Sequence, residues 1–355
     1  MISADEAQAQ LLALHDPLAP ENIALPKAFG RYISEDLVAG RDQPAAALSA
    51  MDGYAIRFDD LPGPWIITGT VAAGTPPLRS VSPGEAMRIF TGAILPNGAD
   101  TILVQEDAAS DGNNLILLGD GPSERARHVR AQATDFASGT RLLSAGTRLT
   151  PAAIAAAAMG SAGELRVGGC PRVAILTTGD ELIAPGGTLA PGQIPDSNGV
   201  MLAAMLAAES ARVDTILHAH DDRDLLSNIL NDLARDHDVI VTVGGASVGD
   251  HDHIRGALQD AGGRIDFWKI AMRPGKPLIA GSIGDAVLLG LPGNPSSAFV
   301  TATLFLLPLV RHLGGARDPL PPALQAPLAV PLAAGDSRRA YLRARLDAGR
   351  LTPFA

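Results

Sequence analysis

From residue 172 to residue 312 short apolar runs alternate with longer helical patterns, which leaves few folds open to this chain. Residues 172–177, 213–218, 239–243, 265–271 and 286–291 read as strands, and 198–208, 225–235, 253–261 and 296–312 as helices. Strands alternating with helices predict a parallel, doubly wound α/β domain with right-handed crossovers. In an open sheet of that kind, ligands bind outside the carboxyl ends of the strands. The rule picks out five loops: TTGDEL (177–182), HDDR (220–223), GGASVGDHD (244–252), MRPGKP (272–277) and LPGNPSS (291–297).

The chemistry of these loops favours anions. Gly244, Gly245 and Gly249 let the backbone approach a ligand, and Ser247 and Asp250 stand among them. Such N–H donors suit phosphate or pyrophosphate oxygens; a plain glycine turn between strand and helix is the alternative. The G-K-[ST] ending of a Walker loop is missing. Arg273 and Lys276, stiffened by Pro274 and Pro277, suggest an oxyanion site, or else two solvated charges. Asn294, after Gly293, can bond its neighbouring backbone and present the Ser296 and Ser297 amides at a helix start. Glu181, Asp221, Asp222, Asp250 and Asp252 fall on the same edge. Their hard oxygens suit Mg²⁺, with helix capping as the plainer reading. His251 and His253 alternate around Asp252 and do not converge well, so zinc is not expected. No G-x-S-x-G elbow occurs.

Upstream the texture differs. Ser3 and Glu6 have the spacing of a capping box ahead of a helix over 3–15. Residues 28–150 carry short β-favouring runs separated by Gly, Pro, Asp and Asn, with 126–130 a further extended candidate. SAMDGYA (49–55) places Asp52 in an exposed turn, Thr91 ends a strand before Gly92, and Asp135 follows Val129–Arg130. PAAIAAAAMG (151–160) reads as a helix with Pro at its start. After Gly314 the chain is Pro-rich and ends in a strand expected over 339–346.

Composition narrows the function classes. At 355 residues, two or more domains are expected. With 38 acidic against 28 basic residues the net charge is −10, which argues against bulk nucleic-acid binding and makes a local cation pair informative. A single cysteine, Cys170, excludes a disulfide within the chain and any multi-cysteine metal site, and fits a reducing compartment. No apolar run reaches about 18 residues, and the longest, 298–310, contains two threonines. The acidic MISADEAQAQ start predicts no secretory signal. The expectation is a soluble, cytoplasmic, multi-domain protein.

The motifs together resemble a known family. SAMDGYA (49–55), RIFTGAILPNGAD (88–100), VRAQATDFASGTRLLSAGTRLTP (129–151), VAILTTGDEL (173–182), IPDSN (194–198), GGASVGDHD (244–252), WKIAMRPGKP (268–277) and LPGNPSSA (291–298) occur in the order of the molybdopterin molybdenumtransferases, the MoeA type that includes the gephyrin E domain. The resemblance covers about residues 1–346. It implies insertion of molybdate into adenylylated molybdopterin with release of AMP, Mg²⁺ as cofactor, and a homodimer whose SAMDGYA-bearing domain faces the α/β domain of the other subunit. Molybdopterin adenylyltransferase and molybdoenzyme maturation factors are implied as partners.

It also assigns residues. The acidic positions Asp52, Asp135, Glu181, Asp221 and Asp252, with Thr91, fall on the family's catalytic set. Glu181, Asp221 and Asp252 are the implied Mg²⁺ ligands. Asp196, Asn198, Gly244, Gly245, Ser247, Gly249, Asp250, Arg273, Lys276, Pro277, Gly293, Asn294 and Ser297 fall on substrate-binding segments. Arg338 or Arg339 stands where a further arginine is expected. Two departures stand out: Ala133 replaces a usual glycine, where a positive φ would be costly, and Asp250 stands where Glu is frequent. The implied domains are 1–42 with 138–170 (discontinuous, helical), 43–137 (inserted, β-rich), 171–315 (α/β) and 316–355 (a shortened C-terminal β-barrel). Two other functions remain open: a molybdopterin adenylyltransferase, whose single-domain form would not need 1–170, and a non-catalytic scaffold.

Overall fold

The structure, a computed structural model, describes residues 1–244, 253–275, 277–332, 335 and 337–354. The expected site residues Gly245, Ser247, Gly249, Asp250, Asp252 and Lys276 lie outside the described residues. The chain divides into two compact units, one of 36–143 with 152–163, the other of 1–35, 144–151 and 164–355.

The first unit holds a six-stranded mixed sheet. Its strands are β1 (Gly53–Ile56), β2 (Trp65–Val71), β3 (Glu85–Ile89), β4 (Thr101–Val104), β5 (Ala108–Asp111) and β6 (Asn114–Leu117), in the order β4-β1-β3-β2-β6-β5. Only β2 and β3 pair in parallel. Alternate residues point to opposite faces. Ala55, Met87, Ile89 and Ile102 therefore pack on one side, and Ile56, Trp65, Leu103 and Leu115 on the other. The extended stretch expected over 126–130 is real only at Val129–Arg130, which pairs with Leu48–Ser49. Ala126 and His128 have left-handed φ of 64° and 61°, which breaks the strand ahead of it.

The second unit is built on another six-stranded sheet. Its strands are β7 (Arg172–Thr178), β8 (Arg212–Ala219), β9 (Val239–Val243), β10 (Arg264–Lys269), β11 (Pro277–Ile283) and β12 (Ala286–Leu291), in the order β8-β7-β9-β12-β11-β10. The expected all-parallel sheet needs correction. β11 was not foreseen and runs antiparallel to both its neighbours, so β10 returns parallel to β12 and the sheet is mixed.

Both faces of this sheet are covered. Val173, Ile175, Val239, Val241, Val287 and Leu289 face α1 (Ala4–Leu12), α2 (Ser197–Ala207) and the helix beginning at Pro295. Ala174, Leu176, Ile240 and Leu288 face α3 (Arg223–Asp236) and α4 (His253–Asp260). Each fully buried aliphatic side chain contributes about 1.5–3 kcal/mol. The Ser3–Glu6 capping box on α1 is present in both directions, at 3.2 and 2.8 Å.

Residues 295–313 form one helical stretch of 19 residues, long and apolar enough to cross a membrane and half buried within the protein. Ala298, Ala302, Phe305, Leu309 and Leu313 lie in the core, so this is a core helix that the run-length count over 298–310 understated. Pro308 has no N–H for the carbonyl of Leu304. The helix widens to a π turn over Ala302–Leu306, and the Gln8 side chain donates to that carbonyl at 2.8 Å. Beyond it, the single strand expected over 339–346 is broken. Arg339–Ala340 pairs with Met272–Arg273, and β13 (Ala344–Asp347) forms a hairpin with β14 (Arg350–Pro353) across Ala348 and Gly349, both left-handed.

Candidate active site

Because β7, β8, β9, β10 and β12 run the same way, the loops that follow them all leave one edge of the sheet. Side chains tie these loops together. The buried Thr177 hydroxyl donates to Asp196 Oδ2 at 2.6 Å, while Asp196 Oδ1 caps α2 by accepting the Gly199 N–H at 3.1 Å. The buried Asn198 donates through Nδ2 to the Gly293 carbonyl at 2.7 Å. Gly244, with φ +99°, lies against Gly293, and a Cβ at Gly244 would stand 2.4 Å from the Thr178 carbonyl. That position requires glycine. Asn294 Oδ1 accepts the N–H groups of Ser296 and Ser297 at 3.0 and 3.3 Å. It therefore acts as the helix cap, and the Ser297 carbonyl in turn takes the Thr301 hydroxyl.

The MRPGKP loop is braced from two sides. Ahead of it the Ala271 N–H donates to the Ile2 carbonyl at 2.8 Å and the Ile2 N–H to the Lys269 carbonyl at 3.2 Å, and the Tyr341 N–H donates to the Arg273 carbonyl at 2.8 Å. Arg273 is exposed there, and Pro277 opens β11. Of the two candidate arginines downstream, Arg339 is gripped by both oxygens of Asp5, at 2.5 and 2.9 Å.

The carboxylates on this edge divide by role. Asp222 accepts the Leu225 N–H at 2.8 Å and is a helix cap, the plainer of its two readings. Asp180, absent from the acidic set expected from sequence, pairs with His220 at 2.8 Å, and that bond holds its carboxyl below the usual range. Burial pushes the Asp221 carboxyl up, and the charges of Asp180 and Glu181 push it further. A negative site crowded in this way suits a divalent cation, which Mg²⁺ commonly meets with one or two carboxylates plus substrate phosphates. Glu181 and Asp221 fit that requirement. Among the described residues no group of three or more His, Cys, Asp or Glu converges as a closed metal site.

In the first unit the SAMDGYA turn is equally built. Leu48–Ser49 pairs with Val129–Arg130, and Ser49 Oγ bonds the Met51 carbonyl at 2.6 Å. A Cβ on Gly53 would lie 2.1 Å from the Leu103 carbonyl, so only glycine fits where β1 starts beside β4. Asp52 Oδ1 accepts the Thr91 N–H and the Thr91 hydroxyl, each at 2.7 Å, and these bonds lower its pKa, the N–H bond most. Asp135 is bound by Arg130 Nη2 through both oxygens, at 2.6 and 2.5 Å. Ala133, between them, does adopt a left-handed φ of 58°. Sequence reasoning passed over Arg88. Its guanidinium lies 5.0 Å from the Tyr54 ring centre and 5.1 Å from that of Phe90, and it bonds Gln105 Oε1 at 2.6 Å. The signal was the cross-strand pairing of Tyr54 with Arg88, which needs the strand register to be seen.

Two family models match along the chain. Residues 2–160 match the MoeA N-terminal region (domain I and II), and 174–312 match a family described as a probable molybdopterin binding domain. The molybdopterin molybdenumtransferase 2 of Mycobacterium tuberculosis is 34% identical, over 98% of this chain and 88% of that protein. The chain belongs to the molybdopterin molybdenumtransferase family. The molybdopterin molybdenumtransferase of Nostoc sp. is 37% identical, across 83% of this chain and 70% of its own length. Among solved structures, the molybdopterin biosynthesis MoeA protein of Pyrococcus horikoshii superposes with a TM-score of 0.79 at 28% identity, covering 100% of this chain and 90% of that one. Membership places the chain among the transferases of molybdenum cofactor biosynthesis.

Proposed function

We propose that this chain inserts molybdate into adenylylated molybdopterin, with hydrolysis of the adenylate and release of AMP. The observation that carries the reading is that five polar loops leave one sheet edge, with the β7–α2 connection tied to its neighbours by Asn198 to Gly293 and by Asp180 to His220. Gly244, Gly293, Asn294 and Ser297 would line the pyrophosphate, with Asp196 and Asn198 holding that floor. Arg273 and Lys276 would take molybdate, a dianion that needs fixed cations in an acidic chain. The dithiolene sulfurs come from the substrate, so one cysteine is no obstacle.

Glu181 and Asp221, with Asp252, would hold Mg²⁺, which when bound neutralises charge on the departing phosphate. Asp52, set by Thr91, and Asp135, set by Arg130, would act from the β unit of one subunit on the α/β unit of another in a homodimer. Residues 316–355 would be part of a C-terminal β-barrel domain, and the cytoplasm is the compartment proposed. Molybdopterin adenylyltransferase would supply the substrate, and molybdoenzyme maturation factors would take the product.

The test is complementation. A host lacking its own molybdenumtransferase should recover molybdoenzyme activity when it expresses this chain, and should not when it expresses Asp52→Asn or Glu181→Gln. No recovery with the wild type would favour a scaffold role, and undiminished recovery with both variants would remove Asp52 and Glu181 from the proposed catalytic set.

A further inference from the structure

A polar cavity lies in the α/β unit, away from the carboxyl edge. Its volume is about 380 Å³, within the size range of small-molecule sites, and Tyr32, Thr147, Arg148, Arg311, Arg317 and Asp318 line it. Among the described residues that line it, three guanidiniums face one carboxylate, in a chain whose net charge is −10. Leu320 and Pro322 give part of the wall an apolar surface.

The arginines are held in place by the fold. Arg148 Nη2 donates to the Ala208 carbonyl at 2.6 Å and its Nε to Gly30 at 3.4 Å. Arg311 Nη2 is set by the almost fully buried Glu209 at 2.5 Å, and Arg317 Nη2 by the Ala145 carbonyl. Those bonds engage fewer N–H groups than the five each guanidinium carries. Tyr32 is 6% exposed, and its burial keeps the phenol protonated and able to donate.

The cavity's position separates it from the reaction edge. Arg311 stands 17 residues beyond Asn294 on the helical stretch that starts there, which is about 25 Å at the rise of an α-helix. Arg148 reaches the far end of α2, whose first turn is capped by Asp196 on the carboxyl edge.

We infer that this cavity is a second anion site, which takes the phosphate group of a small molecule about 25 Å from the proposed reaction centre. Rigid guanidinium forks match tetrahedral phosphate oxygens, and their combined charge favours a dianion over a carboxylate. The apolar wall at Leu320 and Pro322 leaves room for an organic group attached to the phosphate. A ligand here is bound without reaction, because neither the Asp221–Glu181 group nor the Arg273 loop is within reach.

The experiment is calorimetric titration of the full chain with inorganic phosphate and, separately, with AMP. It compares the wild type with Arg317→Gln, Asp318→Asn and Arg273→Ala, each confirmed as folded by its thermal transition. Arg317 and Asp318 are exposed, so both substitutions should be tolerated. One binding component should weaken about tenfold in Arg317→Gln, the scale of one charge-assisted bond. It should tighten in Asp318→Asn and stay unchanged in Arg273→Ala. Tighter binding of AMP than of phosphate in that component assigns a phosphomonoester, and equal binding assigns free phosphate; either upholds the site. Titrations indifferent to Arg317→Gln and Asp318→Asn, or a response abolished by Arg273→Ala, would overturn it.

Discussion

Both hydrogen-bonding groups of Thr91, its backbone N–H and its hydroxyl, donate to one oxygen of Asp52, Oδ1, at 2.7 Å each. A single threonine thus fixes the carboxylate's orientation and favours its ionised form, while its other oxygen takes no part in either bond. Arg88, in contact with the rings of Tyr54 and Phe90, adds a cation nearby that acts in the same direction.

Thr91→Ala keeps the backbone bond and loses the hydroxyl bond. The Asp52 carboxyl should then titrate at higher pH than in the wild type, part of the way back to its ordinary value. Carbon-13 NMR of labelled aspartate reads this directly, and an unmoved titration would show that the hydroxyl does not set the charge. Asp52→Asn should lower AMP release by about 10²-fold or more, the scale of a lost acid–base group.

Ala133→Gly should stabilise the chain. A left-handed alanine costs about 1–2 kcal/mol, and glycine's added freedom when unfolded returns part of the gain. The expected net effect is a Tm higher by about 1–3 °C in a thermal melt. A lower Tm would mean that the loop needs the alanine methyl more than relief of its backbone.

Asn198→Ala removes a buried amide and leaves the Gly293 carbonyl without that donor. The expected cost is about 1–3 kcal/mol in urea unfolding, with the loop at 291–297 loosened and substrate binding weakened alongside. A variant as stable as the wild type would show that Asn198 does not brace that loop.

Asp221 carries a stability cost that depends on pH. Its carboxyl pKa is raised in the folded chain. Folding therefore holds that proton more tightly, and the cost of ionising the group appears as pH rises through its ordinary value and is complete above the raised one. Without divalent cation, Asp221→Asn should melt above the wild type at about pH 7, and the gap should shrink toward about pH 4. Mg²⁺ should raise the wild-type Tm and raise that of Asp221→Asn less. Equal Mg²⁺ shifts would remove Asp221 from the proposed metal site.

The carboxyl-edge loops were legible in the sequence because runs such as RVAILT and VIVTV are almost continuously apolar, as doubly covered strands are. Strand β11 was not. Its segment, PLIAGSI, opens on a proline and contains Gly281, and both read as loop. Gly281 is there because a Cβ would stand 2.1 Å from the Arg264 carbonyl on β10, a close approach visible only once the strands are paired. The Ala133 strain was readable only through the resemblance, which expects glycine at that position. The Arg88 contact was not readable, since it depends on which residue lies across the sheet.

The most direct measurement is AMP release by the purified chain given adenylylated molybdopterin and Mg²⁺, with and without molybdate. AMP released together with formation of molybdenum cofactor, both dependent on molybdate and both lost in Glu181→Gln, is the expected result. No AMP release under these conditions, or ATP-dependent adenylylation of molybdopterin in its place, would contradict the account.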